Sequence, residues 1–365
     1  MNFGEGKITN LKVFLELEKP KKVLLLHGSK SFESLSGSID NLIPCPYENF
    51  VVTESFISFD MLSKGLEFYK STNFDCIICI GGGTIIDFGK LISIFSVNHG
   101  SIIDYATAKK NFRPRNNLLI TLPTTSGSGS EATHFAVLYN GLTKYSIADK
   151  SLLPDYAIID PELTYSLSSN QTAISGMDAL CQGIESFWSL NSDSVSVKDS
   201  SEAIKLILEN IVSAVLNPNK KSRLLMSKGS YLAGKAINVA KTTAAHAFSY
   251  PLTKLFEIPH GHAVALSIGE LYVHNSQKKF SDKFFEKKMS NLNQIIGVDN
   301  AYEAKCRIHN IMGQIGLFTK LPATVSFEET VSQVIDNINL ERLSNNPVPL
   351  ERGDLIGIYG SLFDI

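Results

Sequence analysis

No run in this sequence is apolar for long enough to cross a bilayer. Apolar runs such as VLLLH from Val23 and CIICI from Cys76 have only the length of strands. Neither sign of charge dominates. The 34 Lys and Arg stand against 36 Asp and Glu, a net charge of −2. That balance gives no electrostatic reason to expect a nucleic acid or an acidic membrane as partner. Cysteine is sparse and irregularly spaced, with 5 residues at Cys45, Cys76, Cys79, Cys181 and Cys306. No second CxxC follows Cys76 and Cys79, so DCIICI reads as a buried strand with alternating faces rather than a zinc or redox pair. The start, MNFGEGKITN, lacks a basic patch ahead of an apolar core. No secretory leader is expected, and a reducing cytoplasm is the expected compartment. The GxGxxG dinucleotide fingerprint is also missing.

What remains is ordinary globular material: 365 residues, 44% hydrophobic and 19% charged, a length suited to about two domains. In the first half, short apolar runs alternate with helical stretches. KKVLLLHG, DCIICI and NLLITLP read as strands, while FDMLSKGLEFYKS and GTIIDFGKLISIFS read as helices. Such alternation predicts a parallel sheet covered by helices. HFAVLYN and TKYSIAD predict a hairpin, and YAIIDP closes this part. Beyond Ser169 the period lengthens to that of helices. SVKDSSEAIKLILENIVSAVL is one long helix ended by NPNK, and RLLMSKGSYLAGKAINVAKTTAAHAF reads as another. The boundary falls between Leu163 and Ser169. An α/β domain over 1–165 and a helical domain over 166–365 are expected, with chemistry in a cleft between them.

Two loops at strand ends carry the first candidate site. CIGGGTIIDFGK passes from a strand through Gly81, Gly82 and Gly83 into a helix, whose exposed amides suit an anion. Thr84 adds a hydroxyl and is a possible N-cap, and Asp87 favours the positive end of the helix dipole. LPTTSGSGSEAT then gathers Thr124, Thr125, Ser126, Ser128, Ser130 and Thr133 in one loop. Alone, each is a tight turn or a polar surface loop. Together, at the carboxyl ends of neighbouring strands, they suit a pyrophosphate.

A second candidate lies in DALCQGIES, where Asp178 and Gln182 stand four apart and share a helix face. AAHAF and IPHGHA supply His246, His260 and His262. Each has a plainer reading. A lone histidine on an apolar helix is usually a satisfied core residue, and Asp178, just after SGM, suits a helix N-terminus. If the PHGHA turn is extended, His260 and His262 point to opposite sides, so only one joins any shared site. Jointly, Asp178, His246 and His260 offer one carboxylate and two imidazoles, a donor set for iron, zinc or a similar divalent ion. Gln182 adds a fourth, neutral oxygen.

In order along the chain, DCIICIGGGTIIDFGK, LITLPTTSGSGSEAT, TKYSIADKSLLPDYAIIDPELT, GMDALCQGIESF, TTAAHAFSYPL, IPHGHAVAL and NNPVPL resemble the iron-containing alcohol dehydrogenases, a group related to glycerol dehydrogenase and dehydroquinate synthase. The resemblance implies an N-terminal dinucleotide-binding domain, an all-helical metal-binding domain and a homodimer paired through the N-terminal sheet. It places Gly82, Gly83, Thr84 and Asp87 on the cofactor pyrophosphate, and Thr124, Thr125, Ser128 and Thr133 beside the nicotinamide. Lys144 and Leu163 fall near the ribose, and Asp178, His246 and His260 on the metal. The partner it implies is a small aldehyde or alcohol, reduced or oxidised through NADPH or NADH.

Departures from the family pattern sharpen this. Gln182 stands where a histidine ligand is usual. Tyr250 replaces a histidine often linked to proton delivery, which leaves Tyr250, His262 or water as the proton source. Many NAD-preferring members carry an acid after the first strand. Here stand Gly28, Ser29 and Lys30, which favours NADPH through the absent carboxylate and the nearby cation. Lys241 stands where small residues are common, and it suits an anionic substrate or an ordinary solvated surface. DALCQGIESFWS, AAHAFSYPL and PHGHAVAL together resemble the phosphonoacetaldehyde reductase branch, which makes 2-hydroxyethylphosphonate. Three other readings stay open: a general short-chain or lactaldehyde-type alcohol dehydrogenase, a dehydroquinate-synthase-like lyase, and a nucleotide-binding member without metal or activity.

Overall fold

The computed structural model describes residues 2–33, 35, 37–141, 143–277 and 283–363. The chain forms two compact units, Met1–Ser166 and Leu167–Ile365.

The first unit is built on strands β1 (Asn2–Phe3), β2 (Val23–Gly28), β3 (Tyr47–Val52), β4 (Cys76–Gly81), β5 (Leu118–Pro123) and β8 (Tyr156–Ile159). They pair in the order β1-β8-β5-β4-β2-β3, all parallel. The central strands are apolar end to end because helices cover both faces of such a sheet. Side chains alternate between two cores: Leu24, Leu26, Ile77 and Cys79 in one, Val23, Leu25, Cys76 and Ile78 in the other. The two cysteines thus lie in separate cores and cannot pair, and burial pushes both thiols well up. Strands β6 (Phe135–Asn140) and β7 (Thr143–Ala148) form the expected antiparallel hairpin.

Topology gives this unit a switch point. From β2 the chain goes to β3 on one side, then to β4 on the other, so strand order reverses between β2 and β4. In open α/β sheets the crevice at such a reversal, beyond the carboxyl ends of the strands, is where ligands bind. Gly28 ends β2, and Gly81 ends β4 beside Pro123 of β5.

In the second unit the described residues form helices and no strands. Ser169–Trp188, Ser194–Leu216 and Lys220–Ala240 pack around one core with Ala244–Phe256 and His260–Gln277. Side chains cap the helix starts. Ser168 accepts the Gln171 amide, and Asp193 and Asn219 each form a capping box. Two expectations fail. Asp178 does not open a helix; it lies midway along Ser169–Trp188 and is buried. The stretch through AAHAF is two helices, broken at Lys241–Thr243, with Lys241 at φ 59°.

Candidate functional site

In the first unit the two polar loops touch. The helix Gly83–Phe95 begins after Gly82, which is its N-cap; Thr84 is inside the helix, and its hydroxyl donates to the Ser55 carbonyl at 3.1 Å. The Thr84 capping role is thus corrected. A Cβ at Gly83 would meet Ser128 Oγ at 2.6 Å, and one at Gly82 would meet Thr125 Cγ2 at 3.4 Å. Only glycine at 83 lets the loops approach this closely. The Thr124 amide donates to Gly81 O at 3.0 Å, fixing the second loop to the end of β4.

Asp87 ties the same loops from below. Its carboxylate accepts the Ser130 hydroxyl and the Val137 amide. Lys90, which sequence reasoning passed over, is fully buried among oxygens. Its ammonium donates to the carbonyls of Ser130, Thr133 and Phe135 at 2.6–2.8 Å and to the hydroxyls of Ser130 and Thr133 at 3.0 Å. Burial lowers its pKa to about 8, against the pull of Asp87 and Glu131. The Thr133 hydroxyl is committed inside this cage. Lys144 lies on β7 opposite Tyr139, and its charge acts on Asp87. Leu163 packs in the sheet core with Ile80, Ile120 and Leu122. Lys30 is exposed in the short helix Ser29–Glu33 that follows Gly28.

Among the described residues of the second unit, one cluster forms. Asp178, His246 and His260 each offer a ligand atom, all within 4.8 Å of one another. Asp178 comes from Ser169–Trp188, His246 from the first turn of Ala244–Phe256, and His260 from the first residue of His260–Gln277. Gly261 makes the last approach possible: a Cβ there would meet the Ile174 carbonyl oxygen at 2.2 Å. His246 Nε2 lies 3.4 Å from Asp178 Oδ1, and its Nδ1 meets Glu185. Burial alone would lower this imidazole, but the two carboxylates on opposite sides prevail and raise it to about 10. A ring pressed between two acids marks a place that calls for positive charge. A divalent ion supplies it, and one carboxylate with two imidazoles is a fitting donor set. Gln182, 4% exposed, shares the Asp178 face one turn on.

The remaining candidates separate. His262 lies away from His260 because two residues span 200° of helix, not because the segment is extended. Its Nε2 contacts the Phe318 carbonyl at 2.8 Å, its ring packs on Phe318, and burial lowers its pKa. Tyr250 stacks at 6.1 Å from the His260 ring. Lys241 is half-exposed and pairs with Glu341 at 3.0 Å.

Sequence reasoning missed Glu185. It is fully buried, two turns beyond Asp178, and its signal was present as the same helix face repeated at seven residues. Asn345 was missed as well. Its side-chain amide donates to the carbonyls of Ala240 and Thr242, holding the break that aims His246.

Comparison with known proteins agrees with this architecture. Residues 1–161 match the family described as iron-containing alcohol dehydrogenase, and 172–363 match the Fe-containing alcohol dehydrogenase family, C-terminal. A long-chain-alcohol dehydrogenase 1 from Geobacillus thermodenitrificans is 33% identical over 307 residues, 82% of this chain and 78% of that protein. A phosphonoacetaldehyde reductase from Streptomyces viridochromogenes is 32% identical over 210 residues, 55% of this chain and 53% of that protein. The crystal structure of sulfoacetaldehyde reductase from Bifidobacterium kashiwanohense in complex with NAD+ superposes with a TM-score of 0.92 at 28% identity, covering 100% of this chain and 96% of that one. The chain belongs to the iron-containing alcohol dehydrogenase family. It is an NAD(P)-dependent, metal-containing oxidoreductase of the aldehyde–alcohol pair.

Proposed function

We propose that the chain reduces a small aldehyde bearing an acidic group, of the phosphonoacetaldehyde or sulfoacetaldehyde kind, to the corresponding alcohol. Its similarity to reductases named for both of these two-carbon anions carries this reading. In it, Asp178, His246 and His260 hold the divalent ion, with Gln182 as a neutral fourth oxygen. A cation held there supplies Lewis acidity toward a carbonyl oxygen. Gly82, Gly83, Thr84 and the loop from Thr124 to Thr133 hold the nicotinamide cofactor, which brings the hydride chemistry. Asp87 and Lys90 keep those loops in register. Tyr250, stacked on His260, is the residue we assign to proton delivery, since the His262 Nε2 is taken by Phe318. The enzyme is read as a cytoplasmic homodimer, in keeping with free cysteines throughout and with the family resemblance.

One observation favours a second reading. Lys241 already has Glu341 as counter-ion, which suits a neutral aldehyde and a general alcohol dehydrogenase. Rates of NADPH and NADH oxidation with phosphonoacetaldehyde, sulfoacetaldehyde and propanal decide between them. Preference for propanal would remove the acidic-aldehyde reading.

A further inference from the structure

We propose that Glu185 is the positioning residue that selects which ring nitrogen His246 offers to the cation. The inference rests on the reading of Asp178, His246 and His260 as a cation site. Glu185 Oε1 accepts the backbone amides of Thr243 and Ala245 at 3.0 Å and of His246 at 3.2 Å, together with the Thr243 hydroxyl at 2.9 Å. Trp188 Nε1 donates to that hydroxyl at 2.9 Å and holds it in line. These amides border the first turn of Ala244–Phe256, where a helix has no acceptors of its own. Glu185 therefore caps that helix from another element, and the new start fixes where His246 stands.

The second oxygen acts on the ring. Oε2 meets His246 Nδ1. Because a carboxylate oxygen only accepts, the hydrogen of the neutral ring resides on Nδ1. In that neutral tautomer, the one able to bind a cation, Nε2 beside Asp178 is the nitrogen with the free lone pair. Position and tautomer are thus set by the two oxygens of one buried group, and a ligand oriented in this way binds metal more tightly.

Glu185→Gln separates the two roles. Its amide oxygen can still cap the helix, but its NH2 faces Nδ1 and drives the hydrogen to Nε2, against the cation. The expected result is a metal-free melting temperature close to wild type, with zinc affinity by chelator competition weakened about 10- to 100-fold. Wild-type zinc affinity in a folded Glu185→Gln protein would overturn the proposal. Should the variant not fold, the zinc-loaded wild type carries the test. Nitrogen-15 histidine spectra, with His246 assigned through His246→Gln, should show Nδ1 protonated and Nε2 bound. Zinc on Nδ1 would overturn it. If wild type and His246→Gln hold zinc equally, the cation-site reading itself fails, and this inference with it.

Discussion

Gly261 stands so close to Ile174 that a Cβ on it would meet the Ile174 carbonyl oxygen at 2.2 Å and Asp178 Cβ at 2.9 Å. Backbone-to-backbone contact of this kind holds the start of the His260 helix against the middle of the Asp178 helix. Gly261→Ala must therefore push the two apart, and the backbone carbonyl cannot swing away as a side chain would. Overpacking of this sort costs about 1–3 kcal/mol. The variant should melt at lower temperature and should lose metal during purification, measured by elemental analysis. A variant with unchanged metal content would show that the contact does not set the His260–Asp178 spacing.

Gln182 lies one helical turn from Asp178 and is buried with it. An amide oxygen is a weaker donor to zinc or iron than an imidazole nitrogen. Gln182→His should raise zinc affinity at least about tenfold, since ligand changes of this scale follow even from outer-shell edits. Equal affinity would mean that position 182 does not face the ion.

The Lys241–Glu341 pair is half-exposed, and such pairs are worth about 0–1 kcal/mol. Little is lost if Lys241 leaves Glu341 for an anionic substrate. On the acidic-aldehyde reading, Lys241→Met raises KM for phosphonoacetaldehyde several-fold and leaves propanal alone, while Glu341→Gln lowers it. Steady-state kinetics on the two substrates checks this. Parallel effects on both would return Lys241 to an ordinary surface charge.

The fold was legible wherever local pattern and tertiary role coincide. CIICIG and LLITLP read as buried strands, and the two loops at their ends follow from glycine and hydroxyl content. The break at Lys241–Thr243 was not legible, because KAINVAKTTAAHAF contains no residue that forbids a helix. Its causes are distant: Glu185 takes amides about 60 residues ahead of it, and Asn345 takes carbonyls more than 100 residues behind it. The Asp178 pattern was read at four residues and not at seven, so Glu185 passed unnoticed on the same face. Lys90 was hidden for another reason. A lysine in an amphipathic helix ordinarily reaches solvent, and only the carbonyl cage of the neighbouring loop explains its burial.

Glu131, 5% exposed in the second loop, is raised to about 7 by burial. The unfolded chain loses this proton near the ordinary value of 4.5, the folded chain only near 7. Between those values the folded state binds the extra proton, so stability falls as pH rises, and the loss is complete above the window. Glu131→Gln removes it. The variant should melt together with wild type near about pH 4 and above it at about pH 8, by roughly 1–3 kcal/mol. Identical curves across that range would show that the carboxyl ionises in the fold at no cost.

On the proposed reading, cofactor choice turns on the end of β2. The strand order reverses beside it, so an adenosine ribose lying across the crevice comes within reach of the residues that follow His27. A carboxylate there would accept the ribose 2′-hydroxyl and repel a 2′-phosphate. The chain has Gly28 instead, with the exposed Lys30 two residues on. Lysine acts on a phosphate as a mobile point charge, and in solvent its attraction is modest and weakens with salt. The wild type should therefore favour NADPH over NADH in kcat/KM. Lys30→Ala should cost NADPH about 5- to 20-fold and leave NADH unchanged, an effect of about 1–2 kcal/mol that shrinks at high ionic strength. Gly28→Asp should reverse the preference, because it puts a carboxylate at the end of β2. A wild type that prefers NADH, with Lys30→Ala silent toward both cofactors, would show that the 2′ position is read by another part of the sheet edge.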